Sequence, residues 1–220
     1  MNSKVKEYGV KSIIVLISAA LLSFGVIFFV AASWGQDPLS TLEIGVENVT
    51  GIKMGTVDLI IEIVVLVLAF FLDRKLIHIG TVIYALLFGP MMNFWFATVS
   101  PLLPAADGIP MKILYVAVGT IIMSFALAFY LPINMGYQCS DILAFMLAKL
   151  VHKGYGVGMT IEGVIEFVLG VLMGATWGIG TLVATFTLGP LTEMFMKVTA
   201  PIVTKIAGMT PEEQKTEASA

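Results

Sequence analysis

Residues 79–90 read IGTVIYALLFGP, and the same pattern returns as residues 179–190, which read IGTLVATFTLGP. Each stretch begins with Ile-Gly-Thr, continues through an apolar run and ends on a Gly-Pro pair in the same register. Apolar segments that are similar by chance share leucine and valine. Two Gly-Thr pairs and two Gly-Pro pairs at equal spacing instead indicate an internal repeat of helical, apolar segments.

The repeat extends outward from these stretches over most of the chain. Residues 56–62, TVDLIIE, align with residues 160–166, TIEGVIE, so that carboxylates coincide inside two apolar segments. Lys11 and Gly35 in the same way align with Lys112 and Gly136. The two halves therefore share one ancestral pattern of about one hundred residues, in which acidic positions recur together with the glycines.

Composition places the protein in the bilayer. Hydrophobic residues make up 58% of the chain and charged residues only 12%, against about 25% charged in soluble domains. A net charge of -3 excludes the basic footprint of a nucleic-acid-binding protein. One cysteine and two histidines exclude a disulfide framework and the usual metal sites, and no cofactor motif is present. We expect lipid as the principal partner and neither a metal nor a cofactor.

Six apolar runs are long enough to cross a bilayer, which needs roughly 20 helical residues. They predict an all-α polytopic protein with spans at 12–32, 55–72, 79–98, 112–132, 157–174 and 179–198. Ten of the twelve Lys and Arg residues lie on one side of this arrangement, which predicts cytoplasmic N- and C-termini. The expected organisation is an N-terminus (1–11), a first repeat (12–101), an outer loop (102–111), a second repeat (112–201) and a cytoplasmic tail (202–220).

Because each half has three spans, an odd number, the second half must enter the membrane from the opposite side, and the repeat is inverted. Each half also contains a short segment, 38–50 or 139–152, that cannot span alone. Two interpretations are open for these segments. They are either half-helices whose N-termini dip toward the midplane or amphipathic helices that lie at the two interfaces.

The repeated elements resemble the YczE/YyaS/YitT family of bacterial membrane proteins. The resemblance covers roughly residues 12–200 and depends on Gly136-Tyr137-Gln138-Cys139-Ser140-Asp141, Gly180-Thr181, Gly189-Pro190 and their first-half counterparts. Ser40 stands where an aspartate equivalent to Asp141 is expected. The resemblance implies a helical protein of the bacterial inner membrane, and some members of the family are linked to regulation or to support of secondary-metabolite production.

Glu62 and Glu166 are the first candidate site residues, because each lies well inside an apolar helix. An ionised side chain there costs about 2.5–3.5 kcal/mol on insertion scales. Asp58 and Glu162 precede them by four residues and therefore share their helix faces. Carboxylates this close favour a bound proton or cation. The alternative is that neutral glutamates hydrogen-bond between helices and only join them.

Asp141 and Ser40 are the second candidates, since they stand at the starts of the two short segments, where free N–H groups bind polar groups of a solute. Gly89-Pro90 and Gly189-Pro190 predict a kink or a break in each of the third and sixth spans. Asn93 and Glu193, just beyond, are then expected to line a cavity. The alternative is that the prolines only shape helix packing.

Three functions compete. The leading hypothesis is a small secondary permease that binds a small cationic or zwitterionic solute between inverted repeats and is coupled to a proton or another cation. The runner-up is an accessory or regulatory membrane protein that acts through a protein partner or as a homo-oligomer. An enzyme is the third and is not expected, because His78 and His152 both fall at helix ends on the cytoplasmic side, which leaves only paired carboxylates for catalysis.

Overall fold

The computed structural model describes residues 3–52, 54–72 and 74–209, and all regular structure in these residues is helical. The α-helices are α1 (Ser3–Ala32), α2 (Pro38–Thr50), α3 (Met54–Leu72), α4 (Ile79–Thr98), α5 (Ile109–Tyr130), α6 (Cys139–Leu150), α7 (Tyr155–Leu172) and α8 (Ile179–Ile206). Short 3₁₀ turns follow α3, α4 and α5.

Local sequence sets the ends of the short helix α2. Asp37 is its N-cap and accepts a hydrogen bond from the Ser40 backbone N–H at 3.1 Å. Pro38 occupies the first turn, where its missing N–H costs nothing. Gly51 ends the helix in the left-handed conformation, with φ +72°, and its N–H returns to the Glu47 carbonyl. The helix therefore begins and ends at signals encoded in residues 37–51.

The repeated Ile-Gly-Thr sequence forms the same start twice. Thr81 Oγ1 accepts from the His78 N–H at 3.4 Å, and Thr181 Oγ1 accepts from the Gly178 N–H at the same distance. The first N–H groups of α4 and α8, which lack intrahelical partners, are thereby partly satisfied in both halves.

Two matched contacts join the halves where these helices begin. The Gly80 N–H donates to the Met135 carbonyl at 2.7 Å, and the Gly180 N–H donates to the Trp34 carbonyl at 2.8 Å. A Cβ at position 80 would lie 2.6 Å from the Met135 oxygen, so glycine is required for this approach. The last helix of each half thus begins against the backbone of the other half.

The centre of the fold is the packing of α1 against α5, with α4 beside α1 and α8 beside α5. Gly25 and Gly119 bring the two central backbones together, because a Cβ at Gly119 would lie 3.0 Å from the Gly25 carbonyl oxygen. Ser18 adds a buried hydrogen bond from α1 to the Ala126 carbonyl of α5 at 2.6 Å. The helices α2 and α6 pack on α7, whereas α3 lies at the edge and has little direct contact with α4.

The helices coincide with the predicted segments except at their outer ends. Helix α1 begins at Ser3, before the apolar run that begins at residue 12. Helix α8 continues to Ile206, past the apolar run that ends at residue 198. Hydropathy marks how much of a helix suits hydrocarbon, whereas the helix itself continues as long as its residues favour it. The apolar runs therefore located the helices but underestimated the length of these two.

Both helices continue past their prolines, so no break is present where the sequence predicted a kink or a break. Pro90 lies inside α4 and Pro190 inside α8, and both helices run through them without interruption. A proline removes only one backbone donor, and its ring can be accommodated by a small local bend. The glycines differ in role: Gly189 is in close contact with the Gly156 carbonyl of α7, whereas a Cβ at Gly89 would meet nothing within 4 Å.

The surface is that of a helical membrane protein. Among the described residues, five helices are long and apolar enough to cross a bilayer: Val5–Ala32, Ile79–Leu102, Ile109–Ile133, Tyr155–Leu172 and Ile179–Ile206. Large apolar side chains are exposed along them, including Leu86, Val198 and Leu172. Such faces suit lipid rather than water. Residues 210–220 of the predicted cytoplasmic tail and residues 1–2 of the N-terminus lie outside the described residues.

Candidate functional site

A cavity of about 410 Å³ lies where α2 and α6 begin. Both short helices therefore direct their N-termini to the same interior space, which α1, α4, α5, α7 and α8 complete. The volume falls in the range of sites for small organic ligands, about 300–1,000 Å³. Much of its wall is aromatic or thioether-bearing, and these residues are Phe29, Phe88, Met92, Phe96, Met123 and Met159.

Six carboxylates from both halves line this cavity, and they are Asp37, Glu43, Asp58, Asp141, Glu162 and Glu166. Glu43, Glu162 and Glu166 are only 4%, 3% and 7% exposed. Among the described residues that line the cavity there is no Lys, Arg or His to neutralise them. Buried carboxylates without a basic partner are costly, so this wall requires protons or a cationic ligand.

The carboxylates differ in their partners. Glu43 of α2 and Asp58 of α3 lie close enough to repel each other when both are ionised. Glu162 accepts from Ser140 Oγ at 3.1 Å. Glu166 makes no hydrogen bond to any described residue and lines the cavity directly. Glu166 is therefore the carboxylate in this wall whose hydrogen-bonding capacity is left for a ligand.

Glu62 lies beside the main cavity rather than in it. It lines a second cavity of about 50 Å³ between α3, α4 and α6, whose wall also contains Asp58, Glu162 and Glu166. Tyr84 and Phe88 of α4 face α3 across this space. The structure thus brings together both predicted acid pairs, with Glu62 separated from the main cavity by its neighbours.

Asp141 is buried, and its carboxylate is already held by two tyrosines. Tyr155 Oη donates to Asp141 Oδ1 at 2.6 Å, and Tyr130 Oη donates to Oδ2. The Gln138 N–H in turn donates to Tyr130 Oη at 3.3 Å. Although Asp141 lines the cavity, its oxygens are directed to the ends of α5 and α7, which gives it a structural function at the start of α6.

Ser40 likewise has a partner within its own helix. Its hydroxyl donates to Asp37 Oδ2 at 2.8 Å, while its backbone N–H donates to Asp37 Oδ1. Asp37 of the first half and Asp141 of the second each place a carboxylate at the start of a short helix. The first half thus has its helix-start carboxylate at position 37, three residues before Ser40, the position that aligns with Asp141.

Asn93 and Glu193 do not line the cavity with the other candidates. Asn93 is exposed on α4. A carboxylate oxygen of Glu193 accepts from the Gly156 N–H at 3.2 Å, at the start of α7. A negative group there satisfies a free N–H and complements the helix dipole, so its position is explained by capping.

Sequence reasoning missed Glu43, Tyr130 and Tyr155. Glu43 lies in the segment PLSTLEIGVENVT, where a single acid resembles the polar face of an interfacial helix. Its burial comes from the packing of α2 on α7, which is a tertiary effect. The spacing Asp37, Ser40, Glu43 was the available signal, since residues three apart share a helix face.

The fold and this cavity define a polytopic α-helical membrane protein with an acidic interior site. Residues 10–197 match the model of a family of unknown function, DUF6198, and the chain belongs to this family. It is also 22% identical over 182 residues to the uncharacterized protein YyaS of Bacillus subtilis, covering 83% of this chain and 90% of YyaS. The resemblance found from the sequence motifs is thereby confirmed. No solved structure matches the chain.

Proposed function

We propose that the protein is a small secondary permease of the bacterial inner membrane, with six spans in two inverted repeats that enclose one solute site. The observation that carries the proposal is the cavity of about 410 Å³ where both short helices begin, with carboxylates from both halves in its wall. Short helices in corresponding positions of two inverted halves commonly form transporter sites. In this proposal α3 is the additional span, and α2 and α6 are half-helices rather than interfacial helices.

The pairing of the halves supports the repeat. Gly80 bonds to Met135 and Gly180 bonds to Trp34 with nearly equal distances, 2.7 and 2.8 Å. These four residues are equivalent in the aligned halves, because Met135 and Trp34 both precede an aligned glycine, Gly136 or Gly35. A two-fold relation in the membrane plane would produce this exchange of contacts.

The carboxylates give the site its chemistry. A small cationic or zwitterionic solute binds beside Glu166 and Glu162, while the Glu43–Asp58 pair holds a proton or a second cation. Binding of a positive ligand offsets the cost of burying ionised carboxylates, so occupancy and protonation are coupled. No bond of the solute is broken in this scheme, and we propose no enzymatic activity.

The experiment is a thermal-shift screen of the purified protein against small cations, amino acids, organic anions and a range of pH. A ligand at 100 times its dissociation constant stabilises the folded state by about 2.7 kcal/mol. We expect a cationic or zwitterionic ligand to raise the thermal midpoint of the wild type and not that of Glu166→Gln.

Asp107→Asn is the matched control, because it removes a carboxylate that is exposed in the loop before α5. It should respond to the ligand like the wild type. Equal stabilisation of Glu166→Gln and wild type would place the site elsewhere. A verified ligand that is bound but not taken up by proteoliposomes would contradict transport.

A further inference from the structure

The ligand of this cavity is a lipophilic organic cation: we infer that the site takes a singly charged amine, quaternary ammonium or phosphonium group on an apolar body. The inference rests on the proposed function in using the same cavity, and it specifies the class of ligand. It follows from three properties of the wall. Its unpaired charged group accepts hydrogen bonds, much of its area is apolar, and carboxylates lie where the short helices begin.

The unpaired charged group in the wall is a hydrogen-bond acceptor. The Glu166 carboxylate, 7% exposed, makes no hydrogen bond in the described part of the chain and lines the cavity. A ligand that completes this wall must therefore donate a hydrogen bond to Glu166 or carry positive charge.

A zwitterion or an anion lacks a matching site. A negative group would need a helix N-terminus or a basic side chain. Asp37 accepts from the Ser40 N–H in the first turn of α2, and Asp141 lies in the first turn of α6. No Lys, Arg or His is among the described residues of the wall. Carboxylates at both helix starts thus repel an anionic group, and no basic side chain in the described wall offsets this repulsion.

An inorganic ion also fits poorly. Metal cations require several oxygen ligands close together, and the described residues contain no group of three or more acidic, His or Cys side chains that could hold one. Phe29, Phe88 and Phe96 instead present aromatic surface in the same cavity. Aromatic faces attract organic cations, and apolar area stabilises their bodies.

The edge helix α3 gives such a ligand a lateral route. Helices α3 and α4 have little direct contact, and the smaller cavity lies between them with Ile61 and Val65 on one side and Phe88 on the other. The outer face of α3 exposes Ile63 and Val64. A cation dissolved in the bilayer can therefore approach the acidic site without crossing a polar vestibule.

The test uses the full chain in lipid nanodiscs and measures binding of tetraphenylphosphonium by equilibrium dialysis, with empty nanodiscs subtracted. Tetraphenylborate has the same shape and the opposite charge, tetramethylammonium has the charge without the apolar body, and glycine betaine is a zwitterion. We expect saturable binding of tetraphenylphosphonium, competition by other lipophilic cations, and at least about tenfold weaker binding of the three comparison compounds.

Glu166→Gln should weaken binding of tetraphenylphosphonium about tenfold or more, because it removes the unpaired buried charge. Glu162→Gln is the second variant in case the first does not fold, and Asp107→Asn should bind like the wild type. Equal affinity for tetraphenylborate, or unchanged affinity in both folded glutamine variants, would overturn the inference.

Flux assays in proteoliposomes separate this inference from the proposed function. Saturable, Glu166-dependent binding of tetraphenylphosphonium without uptake would sustain the ligand class and refute transport. Uptake of glycine betaine by a protein that does not bind tetraphenylphosphonium would sustain transport and refute the ligand class.

Discussion

At the scale of single residues, Asp141 shows how a buried carboxylate can stabilise a fold. It is 2% exposed, and tyrosines at the end of α5 and the start of α7 donate to its two oxygens. The carboxylate of Asp141 therefore joins α5, α6 and α7 through hydrogen bonds. The hydrogen bonds to a charged group are the strong ones, whereas an unpaired oxygen here would carry the full cost of desolvation.

We predict that Tyr155→Phe destabilises the protein by about 1–3 kcal/mol, because it leaves one oxygen of Asp141 without a donor in a buried site. Unfolding in mixed micelles of increasing dodecyl sulfate content measures the change. Tyr8→Phe is the matched control, since Tyr8 is 59% exposed on α1 and should leave stability unchanged. Equal stability of Tyr155→Phe and Tyr8→Phe would show that the tyrosine hydroxyl does not support Asp141.

The sequence located the acids that lie inside the helix bundle better than it predicted the contacts of each one. Asp58, Glu162 and Glu166 stood out because they interrupt apolar helices, and the structure gathers them at one cavity. Asp141 stood out as a helix-start signal, but its tyrosine partners come from two other helices. Periodicity along one helix carries no information about such partners, which is why the function of Asp141 could not be read in advance.

At the scale of helices, α2 and α7 approach each other with their backbones in close contact. A Cβ at Gly45 would lie 2.6 Å from the Gly170 carbonyl oxygen, and one at Gly170 would lie 2.4 Å from the Thr41 carbonyl oxygen. Small residues at helix contacts allow this proximity in membrane proteins. The contact holds the N-terminal half of α2, and with it Glu43, against the second half of the protein.

We predict that Gly170→Ala costs about 1–3 kcal/mol, because backbone atoms cannot move aside as a flexible side chain can. The decay of the monodisperse peak in size-exclusion chromatography during heating measures it. Gly9→Ala is the control: no atom lies within 4 Å of the added Cβ, and alanine favours the helix. If Gly170→Ala survives heating as well as Gly9→Ala does, the close approach of α2 and α7 is absent in the membrane.

The six longer helices were predictable because each of their apolar runs is long. Helix α2 began at the expected Asp37-Pro38 signal and α6 at Cys139. What the pattern could not give was the position of α3, which is more apolar than its counterpart α7 yet packs at the edge. The hydropathy of a helix therefore does not determine where it packs.

At the scale of the whole molecule, the number of spans decides the orientation of the ends. Five helices qualify as spans by length and composition in the described residues, and α3 would be the sixth. Six spans place both termini on the same side, whereas five place them on opposite sides. With the six proposed spans, the distribution of Lys and Arg predicts that this side is the cytoplasm.

We therefore predict that green fluorescent protein fluoresces when fused to either end, and that alkaline phosphatase is inactive at both. A phosphatase fusion in the loop after Thr98 should be active and is the positive control. Phosphatase activity at the C-terminus would show that α3 does not cross the bilayer, and it would refute the inverted arrangement of the halves.

The exchanged contacts at Gly80 and Gly180 also impose an order on biosynthesis. The carbonyl that receives the Gly80 N–H belongs to Met135, 55 residues further along the chain. At about 5–20 residues per second, the ribosome needs roughly 3–11 s to supply it. The contact between the Trp34 carbonyl and the Gly180 N–H cannot form until Gly180 is made, which is later still. The first half is therefore made before the contacts that join it to the second half can form.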